Sequence, residues 1–438
     1  MRLLIDGYNL ALERGTGVAT YARNLSLRAH NLGYEITALY GGMHTSSKDA
    51  LLSEINFFDA AKKSKPSAVN QLQWLANVAT APIGCKVDEI KLSGAVIYDS
   101  VINKMPKFDS LWNSNRLFQR AHLAFQYFNF PTPVKLQHTV DIAHWTYPMP
   151  IFAKHALNIY TLHDLVPLRL PHTTLDNKKR YLKMCRWIAN TADHIVTVSE
   201  SSRSDIINLL GVKEDKVTNT YQSVSLPLNL INKTRDTVSS EIQSVFGLTY
   251  GAYFLFYGAV EPKKNLSRLI DAYLGSGVAT PLVIVGGIGW KSEEELIMLD
   301  VLEKLHQSSG RLHRIIKIDY LPQALLINLI RGAKATLFPS LYEGFGLPIL
   351  ESMLLGTPVL CSNTSCMPEI AGAAALQVNP YDIQQIASGI KELDSNSYLR
   401  DKLSAAGKLQ STLFNNERYE ARLNSMYQFI LDKKTIKQ

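Results

Sequence analysis

Short apolar runs alternate with stretches of helical periodicity along most of this chain, and that alternation is the strongest constraint on its fold. Runs of this kind are buried on both faces, which is the signature of parallel sheets joined by crossover helices. One series of predicted strands comprises Arg2–Asp6, Tyr34–Tyr40, Val140–Trp145, Ala156–Leu162, His194–Val198 and Val217–Val224. A second comprises Ala252–Val260, Pro281–Val285, Arg314–Tyr320, Ala335–Phe338 and Pro358–Cys361. Predicted helices include Thr20–Leu32, closed by Gly33, and one that Ser199 caps and Gly211 stops. Leu266–Leu274, Gln323–Ala333 and a last helix from about Glu417 to Leu431 complete the set. Residues 226–249 carry Pro227, Asn229, Asn232 and mixed charge, and read as containing a linker. The expectation is an α/β protein of two domains, 1–228 and 250–415.

Between His44 and Gln137 the pattern blurs. Ala95–Tyr98 is a strand candidate, and a helix is predicted over Leu111–Phe128. That helix puts Leu111, Phe118, Ala121, Phe125 and Phe128 on one face and Arg116 and Arg120 elsewhere. It reads as packed on its own domain, with a membrane-resting surface helix as the alternative.

Composition excludes several classes. An apolar fraction of 46% with 19% charged residues is that of a globular chain with buried cores. The apolar run at the N-terminus is too short for a signal peptide and Asp6 interrupts it, and nothing approaches a membrane span. A cytoplasmic location is expected. Cys85, Cys185, Cys361 and Cys366 form no Cys-x-x-Cys pair, so they read as buried thiols in a reducing compartment. The net charge of +8 favours anionic partners such as a phosphorylated substrate or an anionic membrane, or serves solubility alone. No zinc-finger or RNP-type motif supports nucleic acid.

Four segments carry chemistry. In Phe338–Glu351 a strand ends in Pro339, a glycine-rich loop follows, and a helix opens at Leu347-Pro348. Amides at such a helix start attract phosphate, and glycines admit close approach. Glu343 and Glu351 can face the crevice at the carboxyl ends of the strands, where open α/β sheets bind ligands and carboxylates accept from sugar hydroxyls. In Gly258–Leu266 the Lys263-Lys264 pair follows a strand and can neutralise a leaving diphosphate. Glu13–Thr20 holds Gly15-x-Gly17 before a helix but lacks the third glycine of a dinucleotide fingerprint. Leu162-His163-Asp164-Leu165 places a histidine at a strand's carboxyl end.

The first of these blocks resembles the signature of retaining glycosyltransferases of the GT-B fold, specifically glycosyltransferase family four. Its two glutamates separated by seven residues match Glu343 and Glu351, and Gly344-Phe345-Gly346-Leu347-Pro348 between them also fits. The resemblance covers about residues 1–40 and 140–430. It implies two facing Rossmann-like domains with a cleft between them, the first binding acceptor and the second donor, with 416–438 returning to the first. It implies that Glu351 binds the donor ribose, that Glu343 sits beside the donor sugar, and that Gly344, Phe345, Gly346 and Leu347 line the donor. Lys263 and Lys264 meet the diphosphate, Gly17 faces diphosphate and acceptor with Gly15 beside it, and His163 touches the donor sugar. Asp164 caps, orients or assists on the acceptor side. Tyr320 and Leu321 fall where backbone meets the base. Departures from the family pattern are Lys263 and Ala259, where arginine is common, Asp319, where glycine is common, and Tyr221-Gln222-Ser223-Val224 in place of an Asn-Gly turn. Pro368–Gly372 is a family-like run read as structural.

The implied reaction is retaining hexosyl transfer by the front-face route, without metal or other cofactor, since no Asp-x-Asp motif stands at a strand end. Gly286-Gly287-Ile288-Gly289-Trp290 looks like the turn of mannosyltransferase-type members, so GDP-mannose leads and UDP-sugars stay open. The implied acceptor is a surface polysaccharide on a lipid carrier, reached from the inner face of an anionic membrane. A nicotinamide oxidoreductase is disfavoured, because Tyr40-Gly41-Gly42 supplies neither the acidic residue nor the fingerprint. A silent partner subunit and a nucleotide-sugar hydrolase or epimerase remain alternatives.

Overall fold

The computed structural model describes residues 1–11, 17–43, 49–59, 68–97, 105–136, 138–287, 289–290, 295, 297 and 315–437. Gly15, Tyr98, Ile288 and Arg314 lie outside them.

The buried apolar runs form two main parallel sheets. The first contains β1 (Arg2–Asp6), β2 (Glu35–Tyr40), β4 (Asp88–Glu89), β5 (Ser110–Asn113), β7 (Ile142–Trp145), β9 (Leu157–Thr161), β10 (His194–Thr197) and β11 (Val217–Asn219). Their order is β11-β10-β9-β7-β1-β2-β5-β4, with only β4 antiparallel. Strand β1 pairs with β2 at Leu3↔Ile36 and with β7 at Leu3↔Ile142, so the order reverses there. The second sheet contains β12 (Phe254–Tyr257), β13 (Leu282–Val285), β14 (Ile315–Ile318), β15 (Ala335–Phe338), β16 (Val359–Ser362) and β17 (Leu376–Val378). Its order is β14-β13-β12-β15-β16-β17, with the reversal between β12 and β15. This is the doubly wound dinucleotide-type arrangement, and the parallel core of the first sheet repeats it. Strands β3 (Cys85–Lys86), β6 (Thr132–Lys135) and β8 (Ile151–Ala153) make a small third sheet.

Several expectations need correction. Residues 110–113 are strand, not helix: Leu111 and Trp112 are buried in register with Ala38 and Leu39. The helix starts at Leu117, after Arg116 at φ 49°, and its Phe128 is exposed. Residues 95–97 form no strand. The run expected over 217–224 stops at Asn219, because Tyr221 takes φ 57°, which a strand cannot continue through. Residues 226–249 contain the helix Arg235–Phe246, whose Val238 and Ile242 are fully buried. Arg331 ties this segment down by donating to Leu230 O (2.9 Å) and Lys233 O (2.7 Å). The four cysteines are buried and unpaired.

The last helix, Asn416–Lys437, follows the second sheet in sequence but lies against the first. Arg28 pairs with Glu420 at 3.2 Å and Tyr34 donates to Asn424 at 3.2 Å. A buried polar chain completes the contact. Tyr21 and His144 both meet Thr161 Oγ1, at 3.0 and 2.8 Å, and His144 Nδ1 lies 2.6 Å from Tyr427 Oη. Burial pushes the His144 pKa down to about 3. The folded chain therefore holds His144 neutral, while the unfolded chain protonates it below 6.5. Its contribution to stability is present above pH 6.5 and is lost as pH falls toward 3. A His144→Asn variant should lower the slope of unfolding free energy against pH in that window by about 1.4 kcal/mol per pH unit. Urea unfolding at a series of pH values checks this; equal slopes in the two proteins would show that His144 does not titrate on unfolding.

Candidate functional site

The site grows from the carboxyl ends of β12 and β15, where the second sheet reverses. After β12 the backbone passes Gly258 at φ 136°, and a Cβ on Gly286 would stand 1.8 Å from Gly258 O, so only glycine fits. A tight turn, Pro262–Lys264, then presents both lysines before Asn265 enters the next helix at φ 62°. Asn265 Nδ2 donates to Pro339 O (2.8 Å) and Pro380 O (2.7 Å), and Leu341 N donates to Lys263 O (2.8 Å). These bonds stitch the lysine turn to the loop after β15.

That loop carries Glu343. Lys264 Nζ lies 2.5 Å from Glu343 Oε1, with both side chains largely buried, and Lys263 Nζ lies 3.8 Å from Glu261. Burial alone would raise the Glu343 pKa; the charges of Lys264 and Lys263 outweigh it and hold the carboxyl below its usual value. Burial alone would lower Lys263, but Glu343, Asp164 and Glu261 hold its ammonium well above its usual range. Ser365 and Cys366 donate to Glu343 O at 2.8 and 3.1 Å and fix the loop.

Gly346 at φ 92° precedes the helix Leu347–Leu354, with Pro348 in its first turn. Glu351 lies on this helix, with Oε2 3.2 Å from the Tyr257 hydroxyl. Burial lifts its pKa to about 7 against the opposing effects of Tyr257 and Lys264. Lys264 thus acts on both glutamates. Phe345 is buried against Phe414 and Tyr221, so its ring belongs to packing.

The first sheet supplies the facing wall. His163 follows β9. Its Nε2 lies 2.9 Å from Thr146 O, which can only accept, so Nε2 carries the hydrogen. Burial lowers the pKa of the ring, and in the neutral imidazole Nδ1 remains an acceptor. Tyr21 packs on the ring edge-on at 4.8 Å. Asp6 accepts from Thr146 N and, at 3.1 Å, from Tyr8 N, and burial lifts its pKa to about 6. Asp164 Oδ1 accepts from Val166 N at 3.1 Å, an Asx turn onto the residue two further on.

The walls meet at Gly344. A Cβ there would stand 2.9 Å from both Asp164 Oδ2 and His163 O, and one on Gly17 would meet Leu347 Cδ1 at 3.5 Å. Glu369 of the second domain accepts from Glu200 N (2.9 Å) and Ser201 N (3.0 Å) at a helix start of the first. Tyr342 donates to Asp205, and Trp290 Nε1 donates to Thr173 O at 3.1 Å.

The structure therefore gathers Lys263, Lys264, Glu343, Gly344, His163 and Asp164 in one cleft, with Gly17, Gly346, Leu347 and Glu351 around it. Tyr320 is 78% exposed beyond the edge strand β14, and Leu321 is half-buried beside it. Sequence reading gave no individual role to Asp6, to Glu369 within the run read as structural, or to Tyr342 within the loop before Glu343. A carboxylate at the end of a strand flanking the reversal was the available signal for Asp6; for the other two the runs were visible but their partners in the first domain were not. Among the described residues no His, Cys, Asp or Glu cluster has the form of a metal site.

Known proteins resemble this chain in sequence and in fold. A family described as "Glycosyl transferases group 1" matches residues 242–410, and one described as "Glycosyltransferase Family 4" matches 99–226. The O-antigen chain mannosyltransferase B of Escherichia coli is 30% identical over 79% of this chain and 92% of its own. The O-antigen chain mannosyltransferase RfbU of Salmonella typhimurium is 26% identical over 53% of this chain and 60% of its own. Sucrose-phosphate synthase of Thermosynechococcus elongatus superposes with a TM-score of 0.65 over 99% of this chain and 100% of its own, at 15% identity. Anabaena HepE, solved with UDP and glucose, gives 0.63 over 98% and 99%, at 14% identity. With both halves matched and one relative aligned over most of its length, the chain belongs to the group 1 glycosyltransferases of family four, retaining enzymes of the GT-B fold that use nucleotide-sugar donors.

Proposed function

We propose that the enzyme transfers mannose from GDP-mannose, with retention and without metal, to a hydroxyl of a lipid-linked surface glycan on the cytoplasmic side of a membrane. The observation that carries the transfer chemistry is the largely buried Lys264–Glu343 pair on a loop whose Gly344 comes against His163 O and Asp164 of the first domain. Support for mannose comes from the two mannosyltransferase relatives and from the Gly286–Trp290 turn.

In this reading the diphosphate lies along Lys263, Lys264 and the start of the Leu347–Leu354 helix. Glu351 accepts from the ribose hydroxyls, and Glu343 and the His163 backbone flank the sugar. The bond from the anomeric carbon to the phosphate oxygen breaks while the acceptor oxygen bonds to the same face of that carbon. The acceptor hydroxyl's proton passes to the departing phosphate oxygen, whose charge the lysines stabilise. Glu343 then has two tasks, holding Lys264 in place before the donor arrives and facing the sugar afterwards. The close contact at Gly344 keeps water from the donor.

Incubation of the purified enzyme with GDP-mannose and a mannosyl glycan primer tests the proposal; the product should keep the donor's α configuration. A β product, or transfer from a UDP-sugar alone, would contradict it. Lys264→Ala should lower kcat about 100- to 1,000-fold, as loss of a transition-state charge partner does; near-normal turnover removes it from the leaving group. Glu351→Ala should weaken GDP binding about 10- to 100-fold, the scale of a lost hydrogen bond to a charged group. Because Glu351 must be ionised to accept both ribose hydroxyls, GDP affinity should fall as pH drops below about 7. A flat affinity profile across that value would sink the ribose role.

A further inference from the structure

The whole formal excess of positive charge sits in two segments. Residues 110–140 and 177–192 contain Arg116, Arg120, Lys135, Lys178, Lys179, Arg180, Lys183 and Arg186 and no aspartate or glutamate. Those eight cations equal the net charge of +8, so the rest of the chain is balanced. The fold brings the segments together. The helix Leu117–Phe128 packs on the helix Lys178–Thr191 through Phe125 and Trp187, at 6.2 Å between ring centres. Lys183 donates to Asn129, the left-handed residue that ends the first helix. Around that turn Tyr127 is 66% exposed, Phe130 61% and Phe128 44%. Lys179, Lys183 and Arg186 stand exposed at i, i+4 and i+7, one face of the second helix. Between the helices lies a cavity of about 170 Å³ lined by His122, Phe125, Arg180, Tyr181 and Met184, with Asp176 the one carboxylate in its wall among the described residues.

A solvated surface intersperses both signs and few large rings. Here three neighbouring rings are exposed beside a helix face of cations, the pairing that seats a protein on anionic headgroups: rings at the interface, ammonium and guanidinium groups on the phosphates. Among the described residues no helix is long and apolar enough to cross a membrane, so attachment through this face would be peripheral. We infer that Tyr127, Phe128 and Phe130, with Lys179, Arg180, Lys183 and Arg186, form a docking face for an anionic lipid bilayer. The face lies beside the catalytic cleft: Tyr181, on the basic helix, donates to Asp164 O at 3.2 Å. A lipid-borne acceptor in that bilayer is presented at the cleft edge. The docking itself does not depend on which sugar is moved.

Flotation of the full chain with phosphatidylcholine vesicles, with and without phosphatidylglycerol, tests this. The chain should float with the anionic vesicles only and be released by salt. Each cation is worth about fivefold at such a surface, so K179Q/K183Q/R186Q should bind roughly a hundredfold more weakly. Y127S/F130S should also bind more weakly. Thermal melting and GDP affinity of both variants should stay at the native level, which separates lost docking from lost folding or a failed transferase reading. No binding to anionic vesicles, or native-level binding by the triple variant, overturns the inference. So does preference for an RNA oligonucleotide over vesicles that is lost in the same triple variant, since the face would then serve nucleic acid.

Discussion

The glycine at 344 and the two residues it touches set the geometry of everything else in the cleft. With no side chain there, the loop after β15 comes against His163 O and the Asp164 carboxylate. A methyl group would overlap both, at 2.9 Å. The close approach puts Asp164 near Lys263, and its charge helps keep that buried ammonium protonated. It also closes the cleft around the Lys264–Glu343 pair, where the loss of water makes each charge act more strongly. Each domain alone would offer a strand end with polar groups; together they make a largely buried set of opposite charges.

A second set of contacts holds the domains in that relation. Glu369 caps a helix of the other domain, and Tyr221 also reaches it, at 3.3 Å. Tyr221 sits at φ 57° where the first sheet ends, its ring covered by the Arg422 guanidinium at 4.9 Å and by Phe414 at 5.3 Å. The chain segment leaving the first domain, the returning helix and the capping carboxylate therefore converge on one ring. Polar contacts of this kind exchange readily with water, unlike an apolar interface, and suit a joint that must open to release a nucleotide.

Much of this was legible in the sequence because it was written in short range. Strands such as Phe254–Tyr257 and Leu282–Val285 are buried on both faces and show as uninterrupted apolar runs. The loop from Glu343 to Glu351 and the Lys263-Lys264 turn were legible because each is one local strand–loop–helix unit. Leu111 and Trp112 misled because two apolar residues before an amphipathic helix fit its period as well as a strand's. Val238 and Ile242 were hidden among the polar residues of a segment that looked like a linker. The run around Glu369 reads as structural, but its partners lie 168 and 169 residues away and no local pattern points to them. The same holds for Lys183 and Asn129, 54 residues apart, whose contact joins two basic segments into one surface.

On the proposed function, the loop and lysine turn of the second domain form a nucleotide diphosphate site specific for guanosine. Calorimetric titration of the purified protein with GDP, UDP, ADP and dTDP, without added metal, addresses it most directly. Saturable binding of GDP alone is the predicted result. Binding of none of the four, or of UDP in place of GDP, would contradict it.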